Sequence, residues 1–103
     1  MQSDLSLDDL AAKATQAAGL LRALSSGPRL LVLCHLAAAG ELAAGELVER
    51  VGLSQSALSQ HLAKLREQEL VATRRDGQAI YYRIADPAAA QLLGTLHDIF
   101  CKR

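Results

Sequence analysis

The stretch GLSQSALSQHLAKL, residues 52–65, decides the fold that this sequence predicts. Gly52 supplies a tight turn, Ser54 is a typical helix cap, and leucines then recur at helical spacing at positions 58, 62 and 65. A shorter apolar pattern at about 44–51, with Leu47, Val48 and Val51, predicts a helix before the turn. The order helix, glycine turn, helix is typical of a helix-turn-helix.

The face opposite these leucines carries hydroxyl and amide side chains and one cation. Such groups can approach base edges, while the cation suits a phosphate. The candidate DNA-contacting residues on this helix are Gln55, Ser56, Ser59, Gln60 and Lys64. A polar helix face is by itself more often simply solvated. This face, however, lacks the Glu/Lys pairing of a solvated helix, and a basic hairpin follows it.

After Leu70 the pattern changes to alternation, which predicts two strands joined by the turn RDGQ, residues 75–78. Arg74, Arg75 and Gly77 lie where such a hairpin, or wing, would reach an adjacent groove or the DNA backbone. We therefore predict a mainly α chain with a β-hairpin wing, a winged helix-turn-helix that occupies residues 1–103 as a single domain.

Periodicity predicts about five helices in all. The first extends from about Leu7 to Leu24, with a capping box formed by Ser6 and Asp9. The second, at about 28–38, is apolar nearly all round and is therefore expected in the interior. Gly40 ends it, and Glu41-Leu42 follows as a short extended link. After the two helices of the helix-turn-helix, Asp86 and Pro87 cap and begin a last helix that reaches about Cys101.

Composition limits the class of protein. Half of the 103 residues are apolar but only three are aromatic, so the core must be aliphatic and thin, which favours a partner subunit. The net charge is zero, yet residues 54–83 hold five basic against three acidic side chains, as expected if one face grips phosphates. The N-terminus is acidic and the longest apolar run, 30–33, is short. These features predict a cytoplasmic protein with no membrane association and with reduced cysteines.

Residues 15–101 resemble the ArsR/SmtB family of bacterial repressors. The matching motifs are ALS at 23–25, RLL at 29–31, EL at 46–47, LSQSALSQHL at 53–62, LR at 65–66, LV at 70–71, RRDG at 74–77 and YY at 81–82. The resemblance implies a regulator rather than an enzyme: a homodimer held largely by its first and last helices, bound to an inverted-repeat operator in double-stranded DNA. The chain departs from the family pattern at Glu69, where Gly is usual, and at Pro28, which comes one place late.

The family's members differ mainly in what releases them from DNA. The third helix here lacks the paired cysteines of the family's thiolate site, and the last helix offers only Asp86, His97 and Asp98, so we predict neither a metal nor a cofactor. The contexts of Cys34 and Cys101 resemble the persulfide-sensing BigR/SqrR branch. That resemblance implies a di- or polysulfide bridge between the two thiols, loss of DNA, and derepression of sulfide-detoxification or sulfur-oxidation genes.

Other interpretations stay open at this point. Each cysteine taken alone is most often a small hydrophobe. The chain could be a metal-responsive or a general redox-responsive regulator of the same family, an activator that displaces a silencing protein, or an interaction protein whose polar helix face meets another protein. A thiol enzyme is disfavoured because no nucleophile–base constellation accompanies the cysteines.

Overall fold

The computed structural model describes residues 7–101; the capping box predicted at Ser6 lies outside them. The elements follow in the order α1 Leu7–Ala12, α2 Ala14–Leu24, α3 Gly27–Ala39, β1 Leu42–Ala43, α4 Ala44–Val51, α5 Gln55–Glu67, β2 Val71–Asp76, β3 Ala79–Ile84 and α6 Pro87–Phe100. Helices α4 and α5 form the helix-turn-helix and β2–β3 the wing, which confirms the predicted winged helix-turn-helix.

The helix count differs from the prediction because the first helix divides at Lys13. Its backbone N–H is shared between the carbonyls of Asp9 at 3.2 Å and Leu10 at 3.1 Å, a tightened turn of the 3₁₀ kind. Helix α2 then continues at once, with Ala17 donating to the carbonyl of Lys13 at 2.9 Å. Because neither Gly nor Pro marks this position, the apolar periodicity predicted one uninterrupted helix.

Strand β1 is a second addition to the predicted elements. The sequence predicted an extended link at residues 41–42, and the structure places Leu42–Ala43 antiparallel to β3, opposite Tyr82 and Tyr81. The sheet order is β1-β3-β2. The base of the wing is therefore hydrogen-bonded to the segment that links α3 and α4.

The core is aliphatic, as predicted, and α3 runs through its centre. The largest fully buried side chains are Val32, Leu33, Leu36, Leu47, Leu58 and Leu65. Helix α3 lies against α2, α4, α5, α6 and β3. The prediction of a wholly interior α3 is nevertheless too strong, because Leu31 is 43% exposed and Cys34 is also exposed. This helix buries one side only.

Local signals fix the ends of the helices and the hairpin. Ser54 caps α5 by accepting a hydrogen bond from the backbone N–H of Ala57 at 3.1 Å, and Gly52, with φ of 73°, makes the turn before it. At the wing tip Gly77 has φ of 64° in a two-residue loop between Asp76 and Ala79, which suits a turn that needs Gly at its first central position.

One further position has left-handed backbone geometry without a glycine. Glu69, in the turn between α5 and β2, has φ of 60°. A side chain with a Cβ is strained in this region by about 1–2 kcal/mol. The family pattern has Gly at this position, and Glu69 therefore adds strain to the turn after α5.

Within residues 7–101, the structure contains no single helix that is long and apolar enough to cross a membrane; α2 and α3 pass that test only when taken together, although a 90° bend separates them.

Replacing Glu69 by Gly is expected to raise the free energy of unfolding by about 1 kcal/mol, because the left-handed strain disappears while part of the gain is offset by chain entropy. Chemical denaturation measures this. Glu69→Ala is the matched control, since it removes the carboxylate but keeps the Cβ. An equal gain in both variants would assign the effect to the charge and contradict the strain.

Candidate nucleic-acid interface and thiol pair

An apolar stripe along one side of α5 determines which side of the helix is exposed. Leu58, Leu62 and Leu65 are buried, and they orient the helix. The five predicted α5 residues, Gln55, Ser56, Ser59, Gln60 and Lys64, are all exposed on the opposite side. The structure therefore brings these side chains to one solvent-facing surface that is available to a partner.

Three exposed α5 residues on or beside this surface were missing from the sequence prediction: Ala63, Arg66 and Glu67, the last an acidic residue between Ser56 and Gln60 in helical projection. Ala63 lies between Ser59 and Gln60 in helical projection, and Arg66 lies beside Gln55 at its margin. Together with Ser56 and Ser59, Ala63 gives the middle of the face small side chains, which allow close approach of the helix to a groove. The signal was available for Ala63 and Glu67, because both positions face away from the leucine stripe.

The two arginines predicted on the wing lie in different environments. Arg75 is exposed near the tip, next to the turn at Gly77. Arg74 instead donates from Nε to Oε2 of Glu41 at 2.8 Å and from Nη2 to Oε1 at 2.8 Å. Its guanidinium carbon lies 4.5 Å from the centroid of the Tyr81 ring. The structure thus pairs Arg74 with Glu41, a residue of the predicted extended link to which the sequence analysis assigned no role.

This pairing changes the acid–base properties of both groups. The hydrogen bond from Arg74 holds the pKa of Glu41 below its usual range, against a smaller opposing effect of desolvation, and the charges of Arg74 and Arg83 lower it further. In turn, the hydrogen bond to Glu41 raises the pKa of Arg74. Both side chains are therefore charged at neutral pH.

The two cysteines lie at the packing of α3 against α6. Cys34 lines an open groove between these helices, together with Thr95 and His97. Cys101 follows α6 directly, and its backbone N–H donates to the carbonyl of His97 at 2.8 Å. Both thiols are free and exposed, and neighbouring Phe100 is 69% exposed. Both thiols are therefore accessible to solvent in this chain.

The thiol of Cys101 is close enough to influence the ionisation of Cys34. Although Cys34 is exposed, the surrounding walls of the groove partly desolvate it, and this desolvation raises the pKa of its thiol. The proximity of Cys101 raises that pKa further, since two thiolates repel each other. At neutral pH Cys34 is therefore mainly a protonated thiol.

Among residues 7–101, no three His, Cys, Asp or Glu side chains come close enough to hold a metal ion together. His97 Nδ1 lies 4.0 Å from Oδ1 of its neighbour Asp98, and both side chains are largely exposed.

Comparison with known proteins places this arrangement in a family. The family model described as bacterial regulatory protein, arsR family, matches residues 26–73. The chain is 45% identical to the HTH-type transcriptional regulator YgaV of Escherichia coli, over 92% of this chain and 96% of that protein. The chain belongs to the ArsR family. It is a DNA-binding transcription regulator, and its relatives and its fold are those of regulators rather than enzymes.

Solved structures of ArsR-family regulators agree over nearly the whole chain. The transcriptional repressor BigR of Xylella fastidiosa is 40% identical, with a TM-score of 0.88 over 96% of this chain and 100% of that one. Reduced HlyU of Vibrio cholerae is also 40% identical, with a TM-score of 0.85 over 92% and 99% of the two chains. The helix-turn-helix and wing thus keep the shared geometry.

Lys64→Gln is expected to weaken binding to all DNA duplexes and to reduce the slope of log affinity against log salt by about one, because one phosphate contact is lost. Binding is measured by fluorescence anisotropy at several salt concentrations. Lys64→Arg is the control that retains the charge and the slope. An unchanged slope in Lys64→Gln would remove this residue from the interface.

Removing the thiol of Cys101 is expected to lower the pKa of Cys34, because the neighbouring negative charge disappears. The pH dependence of alkylation of Cys34 by iodoacetamide measures this, and its midpoint should move to lower pH in Cys101→Ser. Thr95→Ser, in the same groove, is the control with no change of charge. If the midpoint stays where it is, the two thiols do not influence each other.

Proposed function

We propose that this ArsR-family regulator is a cytoplasmic transcriptional repressor that senses reactive sulfur species through Cys34 and Cys101. Persulfides or polysulfides join the two sulfurs by a di- or polysulfide bridge, and the bridged protein releases its operator. The observation that carries the proposal is the pair of accessible free thiols on α3 and at the end of α6, near enough that the charge of Cys101 raises the pKa of Cys34.

The chemistry needs only the inducer as oxidant. The thiolate of one cysteine attacks the sulfane sulfur of a persulfide RSSH, the S–S bond of the donor breaks, and the thiol RSH leaves. The second thiolate then attacks the inner sulfur of the resulting cysteine persulfide, and H₂S leaves. In sum, two cysteine thiols and one RSSH give a disulfide, RSH and H₂S. A trisulfide consumes two RSSH and releases two RSH and one H₂S.

The reach of a sulfur chain supports sulfane sulfur over peroxide as the inducer. Reaction with persulfide and reaction with peroxide both proceed through the thiolate, which is a minor species of Cys34 at neutral pH, so the pKa of Cys34 does not distinguish the two inducers. A persulfide formed on Cys101 stays close to Cys34, so the bridge can form whenever Cys34 loses its proton. A direct disulfide requires Cα atoms within about 7 Å, whereas inserted sulfur atoms relax that limit.

An exposed apolar surface supports the proposed homodimer. Its members lie on the first three helices and the last one, and they are Leu7, Leu10, Leu21, Leu31, Ile99 and Phe100, each at least 43% exposed. Large apolar residues that cluster at a surface mark interaction sites. The first and last helices of two copies would cover this surface and place two α5 helices about 34 Å apart, one turn of DNA, on an inverted repeat. Cys34 lies about one helical turn after Leu31 on α3 and Cys101 directly follows Phe100, so a bridge between them can alter the spacing of the dimer.

Gln55, Ser56, Ser59 and Gln60 would then contact base edges, with Lys64 and the wing residues Arg75 and Gly77 at the phosphates. Such base contacts are worth on the order of 1–3 kcal/mol each.

The experiment is mass spectrometry of the non-reduced protein after treatment with a persulfide donor or, separately, with hydrogen peroxide, combined with DNA binding. The expected product is a Cys34–Cys101 peptide with or without additional sulfur, formed with the donor, together with lost DNA affinity that dithiothreitol restores. A hundredfold loss corresponds to about 2.7 kcal/mol of coupling.

Cys34→Ser and Cys101→Ser are expected to keep DNA binding and to lose the response to the donor. Release of either variant by persulfide would contradict the two-thiol mechanism. An equal response of the wild type to peroxide would indicate a general redox regulator, and release by stoichiometric zinc from protein with unmodified thiols would indicate the metal-responsive alternative.

A further inference from the structure

The Glu41–Arg74 pair joins two parts of the chain that are 33 residues apart. Glu41 follows Gly40, which ends α3 with φ of 86°, and it precedes β1. Arg74 lies on β2, the far strand of the sheet, directly opposite Tyr81 on β3. To reach Glu41, the guanidinium crosses the ring of Tyr81, so that one side chain spans the width of the wing.

The geometry of the contact is favourable in three ways. Two parallel N–H···O bonds of 2.8 Å form the planar fork that arginine makes with carboxylates. The cation lies over an aromatic face at 4.5 Å. A second carboxylate, Asp76 Oδ2, lies 3.9 Å from Nη1 of the same guanidinium. The positive charge of Arg74 is thus compensated within the protein.

We propose that Glu41, Arg74 and Tyr81 form a latch that fixes the wing against the end of α3, and that Arg74 is a positioning residue rather than a phosphate contact. The inference rests on the DNA-binding part of the proposed function and not on its thiol chemistry. In this arrangement Arg75, at the exposed end of β2, is the wing cation that the latch holds in place for DNA.

The substitution Glu41→Gln has opposite effects on DNA affinity under the two possible roles of Arg74. If Arg74 touched a phosphate, removing the nearby carboxylate in Glu41→Gln would free that cation and tighten DNA binding. If the latch positions the wing, Glu41→Gln must weaken binding although it removes a negative charge. The sign of this one substitution therefore distinguishes the two roles.

The test uses the full chain and a fluorescein-labelled duplex selected from a random-sequence pool with the wild-type protein. Glu41→Gln and Arg74→Gln are each expected to weaken binding by about threefold to fivefold, in line with exposed ion pairs. The double variant is expected to be no weaker than the weaker single one, because both substitutions break the same contact. Glu49→Gln, an exposed carboxylate on α4, is the control that binds at least as tightly as the wild type.

Hydrogen exchange without DNA separates the latch from the proposed function. The amides of β2 and β3 should exchange faster in Glu41→Gln and Arg74→Gln, while those of α5 stay protected. Arg75→Gln should weaken DNA binding and leave hairpin exchange unchanged. Tighter binding by Glu41→Gln, additive losses in the double variant, or unchanged hairpin exchange would each overturn the latch. Wild-type protein that bound no duplex while exchange responded as expected would instead reject the proposed function.

Discussion

The burial of one side of α5 is the constraint on which the rest of the structure depends. Leu58, Leu62 and Leu65 occupy the aliphatic core together with Leu33 and Leu36 of α3, so the recognition helix cannot rotate without exposing them. Because a helix repeats every 3.6 residues, fixing these three positions also fixes which side chains face outward. The polar surface proposed to contact DNA is therefore set by apolar packing on the opposite side of the same helix.

Helix α3 connects this constraint to the proposed sensor. Its inner side supports α5, whereas its outer side carries Leu31 and Cys34. Its last residues lead through Gly40 and Glu41 into the sheet that bears the wing. A covalent tie between α3 and the end of α6 would thus act on an element that contacts both α5 and β3. Such coupling requires that the bridged and open forms differ in their affinity for DNA.

Local patterns were sufficient for most of the fold. Leucine spacing, the Ser54 cap, the Asp-Gly turn and Asp86-Pro87 placed the helix-turn-helix, the wing and the last helix, because each signal acts within a few residues of itself. The division at Lys13 carried no such signal. The Glu41–Arg74 contact, the exposure of Cys34 and its closeness to Cys101 depend on how distant segments meet, and the spacing of residues along a chain does not encode that. Family resemblance pointed to the cysteines, while their geometry required coordinates.

The positions of the tyrosines make the intrinsic optical signals of this protein specific to the wing. It has no tryptophan, and its two tyrosines are neighbours on β3. The Tyr82 side chain packs partly against the core, while the Tyr81 ring lies beneath a guanidinium on the other face of the sheet. Intrinsic tyrosine emission and near-ultraviolet circular dichroism therefore originate almost entirely from the wing. Optical signals of the unlabelled protein follow that hairpin, and the rest of the molecule stays nearly silent.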